Sequence, residues 1–477
     1  MTSDYISILP LKCLHKKQRF FVHEGHEGTL IFRASLCPSW MIPVWLRLRR
    51  VRKQSLLFLV PILFLTLPNI VLAQELTYRF SFVNEATANK LNLSTPLNYE
   101  NRILPQPKTE NLAVANLFLN YSVISATLNG SATADDRSKP DYNSSLRELY
   151  ADYSLTDELN ISVGKKILKW GTGYAFNPTG VVEPQRNPSD PSDRLSQYEG
   201  RKLLSLSAFV GGSSLTLVYL NDVSLRDSKL QWTDDELAVR MYSLVGGVDL
   251  SLIAHFKQRQ RPEAGMSAAY VIGSNLELHA EVLAKRSSRS LYHRIITSDD
   301  ERQFFSSYPY VPLYENSGRI FYKLLLGGQY TFESGFNITL EYFHNEEGLS
   351  GKEWKQWMSF VKFHNDIQQE NIVVPPALVE LSRYNLIWSL QTVSPRGTMR
   401  DYLFARGYYT LDTWSFELMY FTNIADLSAI VVPSVSSRLS EYVSVYSRFT
   451  LFLGKDDSEY GVLFNRYAVN LGIRFQL

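Results

Sequence analysis

Apolar and polar residues alternate with a period of two in segments of about ten residues along much of the chain. In the clearest segment, at the C-terminus, apolar residues occupy every second position: Tyr467, Val469, Leu471, Ile473, Phe475 and Leu477. Similar alternation occurs in 276–282, 336–343, 413–420 and 442–451. Side chains of a strand point alternately to its two faces, so each segment predicts a β-strand with one apolar face and one polar face.

The connections between the predicted strands alternate between short turns and long loops. Short turns are expected near 120, 156–158, 211–213, 246, 272–275, 333–335, 411–413 and 437–441. Longer loops are expected at 85–110, 131–144, 169–199, 222–237, 258–263, 287–316, 345–398, 422–426 and 454–463. A soluble sandwich would also show alternating strands, but short turns on one side and long loops on the other are typical of outer-membrane barrels.

The pattern therefore predicts an all-β fold, a transmembrane antiparallel β-barrel of about 18 strands with long extracellular loops. The first strand is expected near 76–84 and the last at 464–477. A closed barrel leaves no strand edge unpaired in lipid, and its outward apolar face is solvated by acyl chains. A barrel of this size is too wide for side chains to fill, which predicts a water-filled lumen unless loops occlude it.

The N-terminal part of the chain follows a different pattern. Residues 41–73 contain a basic stretch, then a largely apolar run that ends in Val71, Leu72 and Ala73, which is the layout of a secretory signal peptide. A transmembrane anchor is the alternative, but Pro61 and Pro68 interrupt the apolar run. Residues 1–40 show no clear pattern, and we interpret them as an extension upstream of the true start at Met41. The barrel would then comprise residues 74–477.

Removing this leader changes the charge balance. The whole chain has 49 basic and 47 acidic residues, and residues 1–73 hold 10 of the former and 3 of the latter. The remainder has 39 basic and 44 acidic residues, so its charge gives no indication of nucleic-acid binding. Both cysteines, Cys13 and Cys37, lie in the leader, and the barrel must therefore be stable without disulfides.

Two stretches of the chain carry short motifs. ISVGKKILKWGTGYAFNP at 161–178 joins a Gly-basic pair to a Trp-Gly turn and an Asn-Pro loop, and PSVSSRL at 433–439 precedes FLGKDDSEYG at 452–461. These stretches resemble a family of porin-like barrels of Gram-negative outer membranes. The final strand is similar to the C-terminal insertion signal of such proteins, but it ends in Leu477 rather than an aromatic residue. The resemblance implies integration into the outer membrane after export, with the barrel-assembly machinery as a partner of 464–477.

Charged residues on the polar faces are the most direct candidates for function. If the apolar faces point outward, the residues predicted to line the pore are Glu148, Asp152, Lys166, Glu277, Glu281, Lys323, Glu341, Glu417, Arg448, Arg466 and Arg474. Asp249 and Lys257 share this orientation, which gives seven acidic and six basic residues. Charges of one sign would set ion selectivity, whereas opposed charges give little net preference. Alternatively, these charges pair with one another and merely line a wet wall.

Three loops could add function. An inward fold of the loop 169–199 would set the pore diameter, although an ordinary surface loop is an equal alternative. In 345–398, Trp354, Trp357, Met358 and Val361 have the spacing of one helix face, which predicts a short amphipathic helix. We favour packing of this helix against the outer rim over a lid. The aromatic residues of 304–314 could bind sugar rings or an apolar solute, but we favour packing among the loops.

Catalysis and cofactors find little support in the sequence. Beyond residue 73 there are five histidines, none in a pair with metal-ligand spacing, and the chain contains no GxSxG motif. Asp456, Asp457 and Glu459 in the last loop could bind divalent cations that bridge lipopolysaccharide phosphates, but a solvated acidic loop is the favoured interpretation. We therefore expect no enzymatic activity, no metal site and no cofactor.

The sequence thus favours an outer-membrane channel for passive diffusion of small hydrophilic solutes. The expected partners are outer-membrane lipid, lipopolysaccharide and the solutes themselves, and a homo-oligomer is possible, as in many porins. Two alternatives remain: a gated, specific transporter of lipid, polysaccharide or another solute, and a non-conducting structural or adhesive barrel. Tight, saturable solute binding would favour the first, and an occluded lumen the second.

The leader generates the first testable prediction. Signal cleavage before Gln74 follows from the small residue Ala73 at the end of the apolar run. N-terminal sequencing of the protein purified from outer membranes should therefore begin at Gln74. Retention of the apolar run in the mature protein would support the anchor instead, and a precursor that contains residues 1–40 would contradict a start at Met41.

Overall fold

The computed structural model describes residues 76–477 with several internal gaps, and it describes two short strands before them. The gaps comprise 222–223, 227–228, 232–234, 259, 261, 287, 289–291, 294, 296–309, 312–317, 391 and 395–396. The two short strands, His23–Glu24 and Leu30–Ile31, pair with each other. The predicted extension and signal peptide otherwise lie outside the described residues. So does the aromatic loop 304–314, apart from Tyr310–Val311.

Eighteen antiparallel strands form one closed barrel, in which each strand pairs with its neighbour in the chain and the last strand pairs with the first. Numbered in chain order, the strands are β1 Thr77–Leu91, β2 Thr109–Tyr121, β3 Ile124–Asp135, β4 Asp141–Thr156, β5 Leu159–Lys166, β6 Arg201–Val210, β7 Ser213–Leu220, β8 Glu236–Val245, β9 Val248–Lys257, β10 Glu263–Ile272, β11 Leu276–Arg286, β12 Ile320–Thr331, β13 Asn337–Asn345, β14 Asp401–Leu411, β15 Trp414–Asn423, β16 Ala429–Arg438, β17 Val443–Leu453 and β18 Asn465–Gln476. The predicted fold and strand number are confirmed.

The two faces of the barrel differ as the alternation predicts. In β18, the outward-facing Leu471 is 58% exposed, whereas its inward-facing neighbour Asn470 is 8% exposed. Apolar side chains such as Leu340 and Leu418 are likewise exposed on the outer surface of β13 and β15. An apolar outer surface on a closed sheet suits a lipid environment, because closure leaves no strand edge unpaired.

Short turns join the strands at one end of the barrel. The β8–β9 turn consists of Gly246 and Gly247, which have φ angles of 59° and 84°. Two consecutive residues with positive φ give the hairpin twist that matches paired strands, and glycine adopts this conformation without steric cost. Long loops occupy the opposite end, and they include 92–108, 167–200, 346–400 and 454–464.

Two predicted boundaries are wrong in detail. Strand β1 continues to Leu91 rather than ending at 84, and β3 and β4 shorten the predicted loop 131–144 to 136–140. The outward positions in these extensions are small or polar, among them Ala86, Ala88 and Ala132. Strand pairing continues there through backbone hydrogen bonds, which do not depend on the side chains. Because the outward side chains are small or polar, the sequence shows no hydrophobic alternation in these extensions.

The longest described insertion, 346–400, contains the helices α1 Gly351–Gln368 and α2 Pro376–Ser389. Ser350 caps α1 by accepting from the Glu353 backbone N–H, and the Glu353 carboxylate accepts from the Ser350 N–H. The predicted helix is confirmed, and its four predicted apolar positions are all buried. A 3₁₀ turn, Tyr99–Asn101, lies in the loop 92–108. Among the described residues, no helix has the length and apolar character needed to cross a bilayer.

Helix α1 lies within the mouth of the barrel rather than against its outer rim. Its buried side chains, including Trp357 and Val361, share one hydrophobic core with the inward-facing Phe343, Phe404 and Phe421. Residues of the loops 92–108 and 454–464 complete this core. Packing against the rim was therefore the wrong expectation. The inward face of β13–β16 is apolar near the mouth, and covering it buries apolar area that would otherwise contact water.

Candidate functional site

The loop 167–200, between β5 and β6, folds into the barrel and forms the candidate functional site. Because the loop contains no helix or strand, its backbone N–H groups need acceptors from outside regular secondary structure. Inward-facing carboxylates on the barrel wall supply many of these acceptors. We call this segment the inward loop.

Glu281 of β11 binds the inward loop at two places. One of its oxygens accepts from the backbone N–H and hydroxyl of Thr172 and from the N–H of Gly173, the last at 2.8 Å. The other oxygen accepts from the backbone N–H of Thr179 at 2.9 Å and from its hydroxyl at 2.6 Å. This carboxylate is 1% exposed. It therefore holds the two ends of the segment 172–179 together against the wall.

Glu341 of β13 holds the middle of the same segment. It accepts from the backbone N–H groups of Tyr174 and Ala175, the latter at 2.9 Å. The Nε2 atom of His279 lies 3.0 Å from the same carboxylate. Next in the chain, Phe176 stacks on Phe343 with ring centroids 4.4 Å apart. Polar anchors and an apolar contact thus position one segment of the inward loop on β11–β15.

A second anchor ties the inward loop to the other side of the barrel, where β18 meets β1. Arg194 forms an ion pair with the buried Glu85 of β1. Glu85 also accepts from the Tyr446 hydroxyl at 2.7 Å and from the Asn470 side-chain amide at 2.9 Å. In addition, Arg474 donates to the backbone carbonyl of Arg194 at 3.2 Å. Bonds from β17, β18 and β1 therefore converge on one region of the loop.

Further contacts complete the attachment. Trp170 and Val182 pack on inward-facing apolar residues of β6–β9, and Arg147 of β4 pairs with Asp193 at 3.2 Å. Inside the loop, the buried Glu183 accepts from the backbone N–H of Gly171 at 2.7 Å, and burial raises the pKa of this carboxyl. The loop is thus attached to wall segments distributed around the barrel, so it narrows the lumen at its own level.

The structure assigns direct partners to most of the predicted pore-lining charges. Glu281, Glu341, Glu148, Arg448 and Arg474 contact the inward loop; Glu148 accepts from the Ile167 N–H at 2.8 Å, and Arg448 lies 3.4 Å from Asp190. Within the wall, Asp152 pairs with Lys166 at 2.7 Å and Glu417 with Arg406 at 2.5 Å. Lys323 of β12 pairs with Glu347, at the start of the insertion 346–400, at 3.3 Å. Glu277 lies 3.7 Å from His279 and is 40% exposed. Whether these residues line a permeation path stays a prediction.

Lys257, Asp249 and Arg466, the other charged residues predicted to face inward, also have partners in the structure. Lys257 pairs with Glu236 at 2.6 Å, and Asp249 accepts from the Tyr242 hydroxyl. Arg466 pairs with Asp456 at 2.8 Å in the last extracellular loop, so it lies at the mouth of the barrel rather than at the level of the inward loop.

Some residues of the site were missed by the sequence interpretation. Arg147 points inward because the register between β3 and β4 shifts there. The shift forms a β-bulge in which Arg147 has no partner residue on β3. Strict alternation would have placed it outward. Glu85 was assigned to the start of a loop, although it continues the inward series of Ser81 and Val83. The regular spacing of Ser81, Val83 and Glu85 was the sequence signal that could have placed Glu85 on the inner wall.

The interpretation of the last loop as a solvated acidic loop is wrong for one residue. Asp456 and Asp457 are exposed and pair with Arg466 and Lys362, but Glu459 has no exposed surface. Within the described ranges, no group of acidic, histidine or cysteine side chains is arranged to hold a metal ion.

No family model matches the chain, and no curated protein matches it. Among solved structures, OccK5 (OpdH) of Pseudomonas aeruginosa is 12% identical, with 84% of this chain and 98% of that chain covered and a TM-score of 0.48. OccAB1 of Acinetobacter baumannii is 7% identical, with 84% and 96% covered and a TM-score of 0.48. The outer membrane protein opdK from Pseudomonas aeruginosa is 8% identical, with 84% and 98% covered and a TM-score of 0.47.

The wall carboxylates generate a testable prediction. Replacing Glu281 or Glu341 by Gln should loosen the inward loop, because the new amide group would face backbone N–H donors and leave some of them unsatisfied. We expect the local opening free energy to fall by about 1–3 kcal/mol for each substitution. Hydrogen exchange of peptides from 170–180 measures this effect.

Glu277→Gln is the matched control, because Glu277 lies on the same face of β11 and is partly exposed. It should leave the exchange of 170–180 unchanged. If peptides from 170–180 exchange at the same rate in the Glu281→Gln, Glu341→Gln and Glu277→Gln variants, the carboxylates of Glu281 and Glu341 do not hold the loop.

Proposed function

We propose that this protein is an outer-membrane channel through which small hydrophilic solutes diffuse passively, with the inward loop as its size filter. The observation that carries the proposal is the attachment of a long loop to the polar inner wall of a closed barrel. A wide barrel cannot fill its interior with wall side chains alone, so a loop at this level determines how much of the lumen is open.

The apolar outer surface supports the location. Leu340, Leu418 and Leu471 on separate strands are each more than half exposed, and a soluble protein would cover such a continuous apolar surface. Lipid provides the cover in a membrane. A barrel with short turns at one end and long loops at the other fits the outer membrane, with the long loops outside the cell.

The paired wall charges support weak rather than strong ion selectivity. Arg406 with Glu417 and Lys166 with Asp152 place opposite charges side by side on the inner wall. Such pairs produce little net field for one sign of ion, while they offer hydrogen-bonding groups to uncharged polar solutes. Size and polarity are therefore the expected basis of discrimination.

A gated transporter is the second candidate, and one observation favours it. The insertion 346–400 shares its hydrophobic core with inward-facing residues near the mouth, so α1 and α2 restrict access from outside. In this alternative the insertion must move before a solute passes. The two candidates differ in whether the resting barrel conducts.

Single-channel recording in a planar bilayer tests the proposal. The purified protein should give stable steps of current that rise linearly with voltage at neutral pH. Brief, rare openings or an effect of one particular solute would favour the gated transporter. Silence from a protein that is demonstrably folded and inserted would contradict passive diffusion.

The same recording under a salt gradient tests the wall charges. Changing Arg448, Arg466 and Arg474 to Glu should shift the reversal potential toward cation preference, because basic groups along the path are replaced by acidic ones. Lys90→Glu, at an exposed outward position of β1, is the control and should not shift it. An unchanged reversal potential in the triple variant would show that these arginines do not face the path of the ions.

A further inference from the structure

Glu459 in the loop 454–464 is a carboxyl group with no exposed surface. One oxygen accepts from the backbone N–H groups of Thr398 and Met399 and from the Tyr402 hydroxyl, the last at 2.7 Å. The other oxygen accepts from the side-chain amide of Asn423, also at 2.7 Å. All four donors are electrically neutral.

The ionisable groups that face Glu459 are acidic. Asp426, in the loop between β15 and β16, accepts from the Glu459 backbone N–H at 2.7 Å. The phenols of Tyr402 and Tyr460 are fully buried beside it. Among the described residues, the structure records no basic side chain in an ion pair with Glu459. A carboxylate buried without a cation is costly, because hydrogen bonds from neutral donors replace only part of its hydration.

Glu459 also lies where three parts of the extracellular region meet. Thr398 and Met399 belong to the end of the insertion 346–400, and Asn423 belongs to the end of β15. A second contact links the same loop to α1, because the Trp354 indole N–H donates to the Asp457 carbonyl at 2.7 Å. The carboxyl group therefore connects the helical insertion to the last loop and to the wall.

We propose that Glu459 is a proton-operated latch that holds the helical insertion 346–400 in the mouth of the barrel more tightly in acid than at neutral pH. The proposal rests on the proposed channel function, since an insertion held in the mouth limits access to the lumen. A docked insertion requires a buried Glu459, and protonation removes the charge that makes this burial costly.

The pH dependence of docking follows from the difference between the pKa of Glu459 in the docked state and its pKa in the undocked state. In the docked state, burial raises the pKa of Glu459 from 4.5 to about 7, because desolvation outweighs the hydrogen bonds to the carboxylate. When the insertion undocks and water reaches the group, its pKa returns toward the ordinary value. Docking is therefore strongest below pH 4.5, weakens as the pH rises to about 7, and is constant above that. Within this window the docking equilibrium falls about tenfold per pH unit.

Hydrogen exchange tests the latch without any need for conductance. Protection factors of peptides from 351–368, in which the intrinsic pH dependence of exchange cancels, should fall between pH 4.5 and 7 in the purified protein. Peptides from β6–β9 serve as the internal reference. The total fall should approach about 300-fold if exchange occurs through undocking of the insertion.

Glu459→Gln mimics the protonated group and should remove the pH dependence, with protection at pH 8 raised to the acid level. Asp456→Asn is the matched control, because its carboxylate lies in the same loop, is 65% exposed and pairs with Arg466 of β18 rather than with the insertion. It should keep the wild-type profile. A Gln variant that follows the wild-type profile, or that loses protection at pH 8, would overturn the proposal.

Tyr402→Phe provides a second variant, which removes one donor to the carboxylate. The Tyr402 hydroxyl stabilises the charged carboxylate of Glu459 more than the neutral carboxyl group. Its removal should therefore raise the pKa of Glu459 in the docked state and move the midpoint of the transition to higher pH. A purely structural role for Tyr402 would lower protection equally at every pH. A flat exchange profile in a barrel that conducts would refute the latch alone, and a silent barrel with the expected profile would refute passive diffusion alone.

Discussion

The structure depends on the closure of the sheet by backbone hydrogen bonds between β18 and β1. Once the first and last strands pair, no edge remains, and the barrel can expose apolar side chains on its outer surface without exposing unpaired backbone groups. Closure also sets the direction of every second side chain. Because strand residues alternate, a position such as Asn470 must face the interior when Leu471 faces outward. The residues that alternate with the outward apolar positions therefore form the inner wall.

The polar wall in turn determines how the long inward loop is held. A loop without regular secondary structure carries backbone N–H groups that need acceptors, and the buried carboxylates of Glu281 and Glu341 meet that need from two strands. On the opposite side, Glu85 accepts from the wall and from Arg194 at once. Acidic residues that look like selectivity groups in the sequence thus act as attachment points.

The extracellular end combines the same elements differently. There the inner wall of β13–β16 is apolar, and helix α1 covers it together with two other loops. The carboxyl group of Glu459 lies where the insertion, the last loop and the wall meet, and its hydrogen-bond donors are all neutral. Burial without a cation makes the free energy of this junction depend on protonation, which couples the arrangement of the mouth to the pH of the medium.

The sequence by itself determined the barrel, its strand number, the side of the long loops and helix α1, because hydrophobic periodicity and connection length are local properties of the chain. It did not determine where β1 ends, since small outward residues leave no alternation, or that Arg147 faces inward, since a bulge breaks the period. Only the tertiary structure decided that the inward loop binds Glu281 and Glu341, and that Glu459 is buried. Those contacts join residues far apart in the chain, and their formation depends on where closure of the barrel brings each side chain in space.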